Sequence, residues 1–178
     1  MKRVVITFGL ISGVVAGALM WLMLWAMSSG VIKSHDGEIW GYSSMIIALS
    51  MVFFGIKSYR DSHGGKITFL KGLQIGILIS LISAICYALS WELYYQTIGG
   101  NFMAEYIASY SEKMRASGAS QEELEAMRQQ MDGMAELYKN FFVRFGMTLM
   151  EILPVGIIVT LVSAALLRRR ELLPAQAA

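Results

Sequence analysis

The chain has 178 residues, 56% of them hydrophobic and 16% charged, with a mean hydropathy of +0.53. That balance lies above the range of soluble domains, and the excess sits in four apolar stretches, without which about half the chain remains, too little for a large soluble domain. The net charge of +2 does not call for nucleic acid, because nine of the 15 Lys and Arg residues crowd into three short segments that follow a membrane topology.

The apolar stretches are 4–27, 39–56, 72–95 and 145–167. A hydrocarbon core about 30 Å thick is crossed by about 20 helical residues, so all four qualify as spans, the second narrowly. The expectation is an all-α integral membrane four-helix bundle, a single membrane domain over 1–178. A helical hairpin at about 101–139 separates spans three and four. The basic segments are Lys2 and Arg3; Lys57, Arg60, Lys66 and Lys71; and Arg168, Arg169 and Arg170. They alternate with the other connections and predict both termini and the 57–71 loop on the cytoplasmic side. The 96–142 segment, with seven acids and four bases, is then expected outside.

Span one opens after Lys2-Arg3 and resembles a signal peptide up to Ala26-Met27-Ser28. Its run of 22 residues from Val4 to Trp25 exceeds the 7–15 of a signal's core, so an uncleaved helix is expected. Gly9, Gly13 and Gly17 recur every four residues, with Ser12 and Ala16 beside them, and line one face. Gly72, Gly76, Ser80 and Ala84 repeat the device on span three. Helices in lipid gain nothing from burying apolar area against one another. Close backbone approach at small residues must hold them, within the bundle or at a homodimer seam.

Span two opens after Trp40 and Tyr42, which suit an interface, and ends at Gly55-Ile56-Lys57. Gly64-Gly65 makes a turn, and Thr68 is placed to cap the third helix. The glycine pair has neither the preceding strand nor the spacing of a phosphate loop. The single cysteine, Cys86, lies within span three and allows no internal disulfide.

In the hairpin, Asn101 is a candidate cap, and Met103, Tyr106, Ile107, Tyr110 and Met114 share a helical face. Ser117-Gly118 stops that helix. Ser120-Gln121-Glu122-Glu123 is a capping box for a second, whose apolar face carries Leu124, Met127, Met131, Met134 and Tyr138. The three methionines are soft donors that would suit Cu(I), but without a nearby Cys or His they read as apolar packing. Each greasy side must bury against its neighbour, the bilayer or another chain.

Three charges are the candidate site. Glu151 lies inside span four, just before Pro154, where the missing backbone N–H leaves the Met150 carbonyl free and predicts a kink. A carboxylate at a span's centre costs about 2.5–3.5 kcal/mol on insertion scales, and an off-centre one less, so Glu151 calls for a partner. Glu92 ends span three and Arg144 begins span four, so topology puts Glu92, Arg144 and Glu151 in one leaflet as an intramembrane polar cluster. His35 and His63 fall on opposite sides of the membrane, and Asp36 and Glu38 beside His35 offer at most a weak cation site. No metal site or cofactor is expected. Nucleophile-elbow, HExxH, Walker and paired-carboxylate hydrolase patterns are missing from the sequence, so no enzyme is expected either.

Several blocks together carry a likeness: Gly41-Tyr42-Ser43-Ser44-Met45, then Phe54 through Asp61 leading to Gly64-Gly65-Lys66-Ile67-Thr68-Phe69. Ser117-Gly118-Ala119-Ser120, Tyr138-Lys139-Asn140 and Glu151-Ile152-Leu153-Pro154-Val155-Gly156 follow. In that order they resemble the bacterial membrane family catalogued as domain of unknown function 4199, over nearly the whole chain. The resemblance implies a small four-span, multi-pass protein of the bacterial inner membrane with an outside helical insertion, to which the basic segments add the N-in and C-in orientation. It implies no catalytic residue, substrate or cofactor. The functional expectation is an accessory or interaction component. Its partners would be the lipid bilayer and a second copy, or a membrane or periplasmic protein meeting the hairpin. The alternative is an ion- or proton-coupled transport element using Glu151.

Overall fold

The fold is that of a computed structural model, which describes residues 1–31 and 37–168. His35, Asp36, Arg169 and Arg170 lie outside the described residues, as does the Glu38 side chain. Among the described residues the elements are six α-helices and one 3-10 turn, with no strand: α1 Lys2–Ser28, α2 Gly37–Asp61, α3 Phe69–Thr97, the 3-10 turn Gly99–Asn101, α4 Phe102–Ala116, α5 Gln121–Tyr138 and α6 Phe141–Leu167. Four of them, α1, α2, α3 and α6, are long and apolar enough to cross a membrane. The fold is an all-α membrane bundle. The chain forms two compact units, one from Met1–Ser90 with the chain from Thr148 onward, the other from Trp91–Met147.

The first unit is built on α3, whose two sides carry different seams. On one, a Cβ on Gly9 would stand 2.8 Å from Ile82 Cβ, and one on Gly17 would stand 2.5 Å from Ser90 Oγ. Gly13, between them, meets Cys86 just as closely. Each step of four along α1 is matched by a step of four in the same direction on α3, so these helices run parallel. On the other side Gly72 meets Ala164, Gly76 meets Thr160 and Ser80 meets Gly156. Here each step forward on α3 is a step back on α6, as an antiparallel pair requires. The glycine faces of spans one and three are therefore used inside the protomer. Helix α2 completes the unit against α1. Its Gly55 lies where a Cβ would be 2.5 Å from Ile79 Cδ1 and 3.2 Å from Phe8 Cβ.

Small polar residues tie the same seams. Ser12, fully buried, donates to the Ala48 carbonyl at 2.8 Å and shares a 2.9 Å hydrogen bond with Ser83, so one hydroxyl joins α1, α2 and α3. Ser80 bonds Thr160 at 3.3 Å and the Gly156 carbonyl at 3.4 Å, joining α3 to α6. Among the described residues no buried side-chain polar atom lacks a partner. Helix α2 runs past the expected end at 56 as far as Asp61. Its last turn is held by charge: Asp61 accepts from Lys57 at 2.6 Å and from the buried Arg60 at 2.9 Å. Thr68 Oγ1 accepts from Lys71 N at 3.3 Å, the cap expected for α3.

The second unit holds the hairpin of α4 and α5, which pack on each other. Gly118, at φ +87, ends α4 in the left-handed conformation that glycine allows, and Ala119 N donates back to Met114 O at 3.1 Å. Asn101 precedes α4 without a side-chain cap, since the 3-10 turn through Gly99 occupies that place. The capping box of α5 forms in full: Glu123 accepts from Ser120 N at 2.8 Å, and Ser120 Oγ accepts from Glu123 N at 3.2 Å. The apolar faces are only partly covered. Leu124 and Tyr138 are buried, whereas Tyr106, Tyr110 and Met134 are exposed.

Two outcomes follow. Gly13→Ala places a methyl into Cys86 and should cost about 1–3 kcal/mol, as overpacking does, while Cys86→Gly in the same chain restores the space and most of the loss. Gly133→Ala, where nothing lies within 4 Å, should instead stabilise α5 by up to about 1 kcal/mol; thermal unfolding in mild detergent reads both. The backbone and hydroxyl of Ser120 hold the Glu123 carboxyl below the usual glutamate range. The folded state thus binds that proton less readily than the unfolded chain. The capping contribution is present above the unfolded value and is lost as pH falls through the lowered folded one. Hydrogen exchange at the first turn of α5, corrected for intrinsic rate, should show more opening on acidification, and Glu123→Gln should flatten that dependence.

Candidate functional site

Helix α3, at 29 residues, is roughly 44 Å long, well beyond the ~30 Å of hydrocarbon. The extra turns carry Glu92, Tyr95 and Gln96 into the second unit, where α6 begins. There Arg144 makes a forked pair with Glu92: Nε donates to Oε2 at 2.7 Å and Nη2 to Oε1 at 2.5 Å. Both side chains are buried, Glu92 at 6% and Arg144 at 4% exposure, too little for water to screen the pair. Gln96, one turn beyond Glu92, donates to its Oε1 at 2.7 Å.

Arg144 does more than neutralise an acid. Its Nη1 donates to the carbonyls of Tyr138 at 2.8 Å and Lys139 at 3.3 Å. These are the last carbonyls of α5, which have no partner within the helix and carry the negative end of its dipole. One guanidinium therefore closes α5 and ties it to α3 and α6. Tyr95 lies beneath, with its ring centre 4.0 Å from Arg144 Cζ, and Tyr138 stands at 5.9 Å. Trp91 Nε1 donates to Tyr138 Oη at 2.8 Å, and Phe102 meets the Trp91 ring edge-on at 4.9 Å. The aromatic wall keeps the pair dry.

Chemically this is a latch. Both carboxylate oxygens of Glu92 accept from fixed donors, and Arg144 spends its fork on Glu92 and its remaining nitrogen on backbone. Neither group is offered to a substrate.

Of the three charges expected together, Glu92 and Arg144 pair within the second unit, and Glu151 belongs to the first. It is exposed and, among the described residues, makes no hydrogen bond or ion pair. The buried stripe of α6 runs through Thr148, Ile152, Gly156, Thr160 and Ala164, a step of four. Glu151 stands about 100° from Ile152 and so falls off that stripe. The expectation used the seven-residue spacing from Arg144 to Glu151, which keeps to one side of an isolated helix, but packed helices follow the inclined row of fours. Because α6 starts at Phe141 rather than 145, Glu151 lies roughly 15 Å along it. Pro154 stands inside α6, which continues on both sides of it. His63, at the other end of the spans, stacks on Tyr59 at 4.0 Å.

Sequence reasoning missed Tyr95, Gln96, Trp91 and the two carbonyls. Gln96 at four residues from Glu92 was the one signal on offer; a carbonyl acceptor leaves none.

A bundle of four apolar helices, with an ion pair buried where a helical hairpin joins two of them, defines a multi-span α-helical membrane protein. The family described as protein of unknown function (DUF4199) matches residues 7–169, and the chain belongs to it. No curated protein and no solved structure matches the chain.

Glu92→Leu and Arg144→Leu should each cost about 3–5 kcal/mol, since each leaves a buried charge without its partner. The double variant should cost clearly less than the two losses added. Denaturation in detergent of all four proteins gives the cycle, and strict additivity would show that the pair is not coupled.

Proposed function

We propose that the protein is an accessory component of the bacterial inner membrane that acts by binding a partner within the bilayer, with both termini in the cytoplasm and the hairpin outside. One observation carries this reading: Glu151 stands exposed, with no partner among the described residues, deep along a membrane-spanning helix. Such a group has a cost in lipid that a polar neighbour from another chain removes. Its surroundings fit a contact face, for Met150, Ile157, Ile158 and Leu161 are exposed on the same helix. The half-covered tyrosines of the hairpin, Tyr106 and Tyr110, offer a second contact outside. Enzymatic chemistry has no place in this reading.

Coupled transport through Glu151 is the competing reading, and the packing weighs against it within one protomer. The seams of α3 with α1 and α6 are closed to the point where a methyl does not fit, and Glu151 lies off them. A route past Glu151 would have to run between copies.

The test is in-cell crosslinking followed by mild-detergent purification of wild type, Glu151→Leu, and Tyr106→Ser with Tyr110→Ser. All three should insert and fold, since these side chains bear no part of the bundle. The interaction reading expects Glu151→Leu to release a membrane-embedded partner, or a second copy, that wild type retains. An unchanged complex in both variants would refute it. A proton-dependent flux lost in Glu151→Gln with the complex intact would establish the transport reading instead.

A further inference from the structure

Lys66, Ile67, Thr68 and Arg168 line one open depression of about 350 Å³, where α3 begins and α6 ends. That volume is within the usual range of small-molecule sites, ~300–1,000 Å³. The basic residues nearby in sequence are mostly committed. Lys57 and Arg60 bond Asp61, and Lys71 bonds Gln74 Oε1 at 3.0 Å with its ammonium 6.0 Å above the Tyr59 ring. Lys66 and Arg168 differ. Both are exposed, and among the described residues neither side chain has a hydrogen bond or an ion pair. Thr68 already accepts through Oγ1 from Lys71 N, which leaves its hydroxyl proton to donate. Among the described residues no acid lines the depression.

The site thus offers an ammonium, a guanidinium fork and a hydroxyl donor around one space, with no acceptor for them among the described residues. A tetrahedral oxyanion is the chemistry that matches: its several oxygens take the fork bidentately and the ammonium as a point charge. The position adds a reason. Apolar helices begin at Phe69 and end at Leu167, so the depression lies where hydrocarbon gives way to headgroups. Basic pockets at that level between membrane helices bind anionic headgroups. We propose that this depression is a phosphate-binding site, filled by the phosphate of an anionic lipid or by free phosphate. It is independent of the partner reading above, which rests on Glu151.

Binding by the full chain in mild detergent is measured by native mass spectrometry with phosphatidylglycerol, phosphatidylcholine and inorganic phosphate as probes. Wild type should bind phosphatidylglycerol at least roughly tenfold tighter than phosphatidylcholine, and Lys66→Ala with Arg168→Ala should remove that preference. Lys2→Ala with Arg3→Ala takes the same charge from another exposed segment and should bind as wild type. Lys66→Gln with Arg168→Gln serves if the alanine pair melts early. Displacement of the lipid by millimolar inorganic phosphate, or binding of inorganic phosphate alone that depends on Lys66 and Arg168, identifies a site for phosphate itself. Resistance to inorganic phosphate identifies the headgroup. The proposal is overturned if neither probe binds in preference to phosphatidylcholine, or if the two double-alanine variants lose binding equally, since diffuse surface charge would then be the cause.

Discussion

Helices in hydrocarbon are surrounded by a solvent as apolar as their own side chains, so nothing drives them together through burial alone. Contact has to come from shape, and shape at a helix surface is best when the backbone itself is the surface. Helix α3 meets this demand twice over. One side receives Gly9, Gly13 and Gly17 of α1, and the other presents Gly72 and Gly76 to Ala164 and Thr160 of α6. Many bulky residues face outward instead: Val14, Leu22, Ile46, Ile47 and Leu89 are all exposed. In water such a surface would be an aggregation hazard; in a bilayer it is the face that lipid wets.

Close approach also makes short polar side chains effective. Ser12 reaches both the Ala48 carbonyl and Ser83 because the glycines beside it bring three helices within a hydroxyl's reach. The same logic in reverse explains the size of the groups at the hairpin. There the elements to be joined are a helix end, a second helix end and a third helix's carbonyls, spread wider than a serine can bridge. A long arginine with five donors spans them, and its charge is made tolerable by Glu92 and by the ring of Tyr95.

The parts of this fold legible in sequence are those governed by one-dimensional rules. Span length follows from hydrocarbon thickness, the small-residue face from a step of four, the capping box from Ser120 and Glu123, and the turn at Gly118 from its backbone freedom. The pairing of Glu92 with Arg144 was legible because topology alone puts both at the same level. What escaped reading depends on three-dimensional choice. The end of α2 was misplaced because Lys57, Arg60 and Asp61 look like a loop but satisfy one another within a helix. The Asn101 cap was displaced by a 3-10 turn. The exposure of Glu151 was not legible because a helix has two nearly equivalent rows, and packing chose the one stepping by four.

Glu92 and Glu151 are the same side chain in membrane-spanning helices, yet their situations are opposite. Glu92 faces a guanidinium, an amide and an aromatic wall, all from its own chain, and needs nothing further. Glu151 stands one residue off the packed row, and among the described residues nothing donates to it. A carboxylate there does not improve the bundle: Ile152 and Gly156 make the seam whether position 151 is acidic or aliphatic. The cost of that carboxylate in lipid is what the proposed partner would offset.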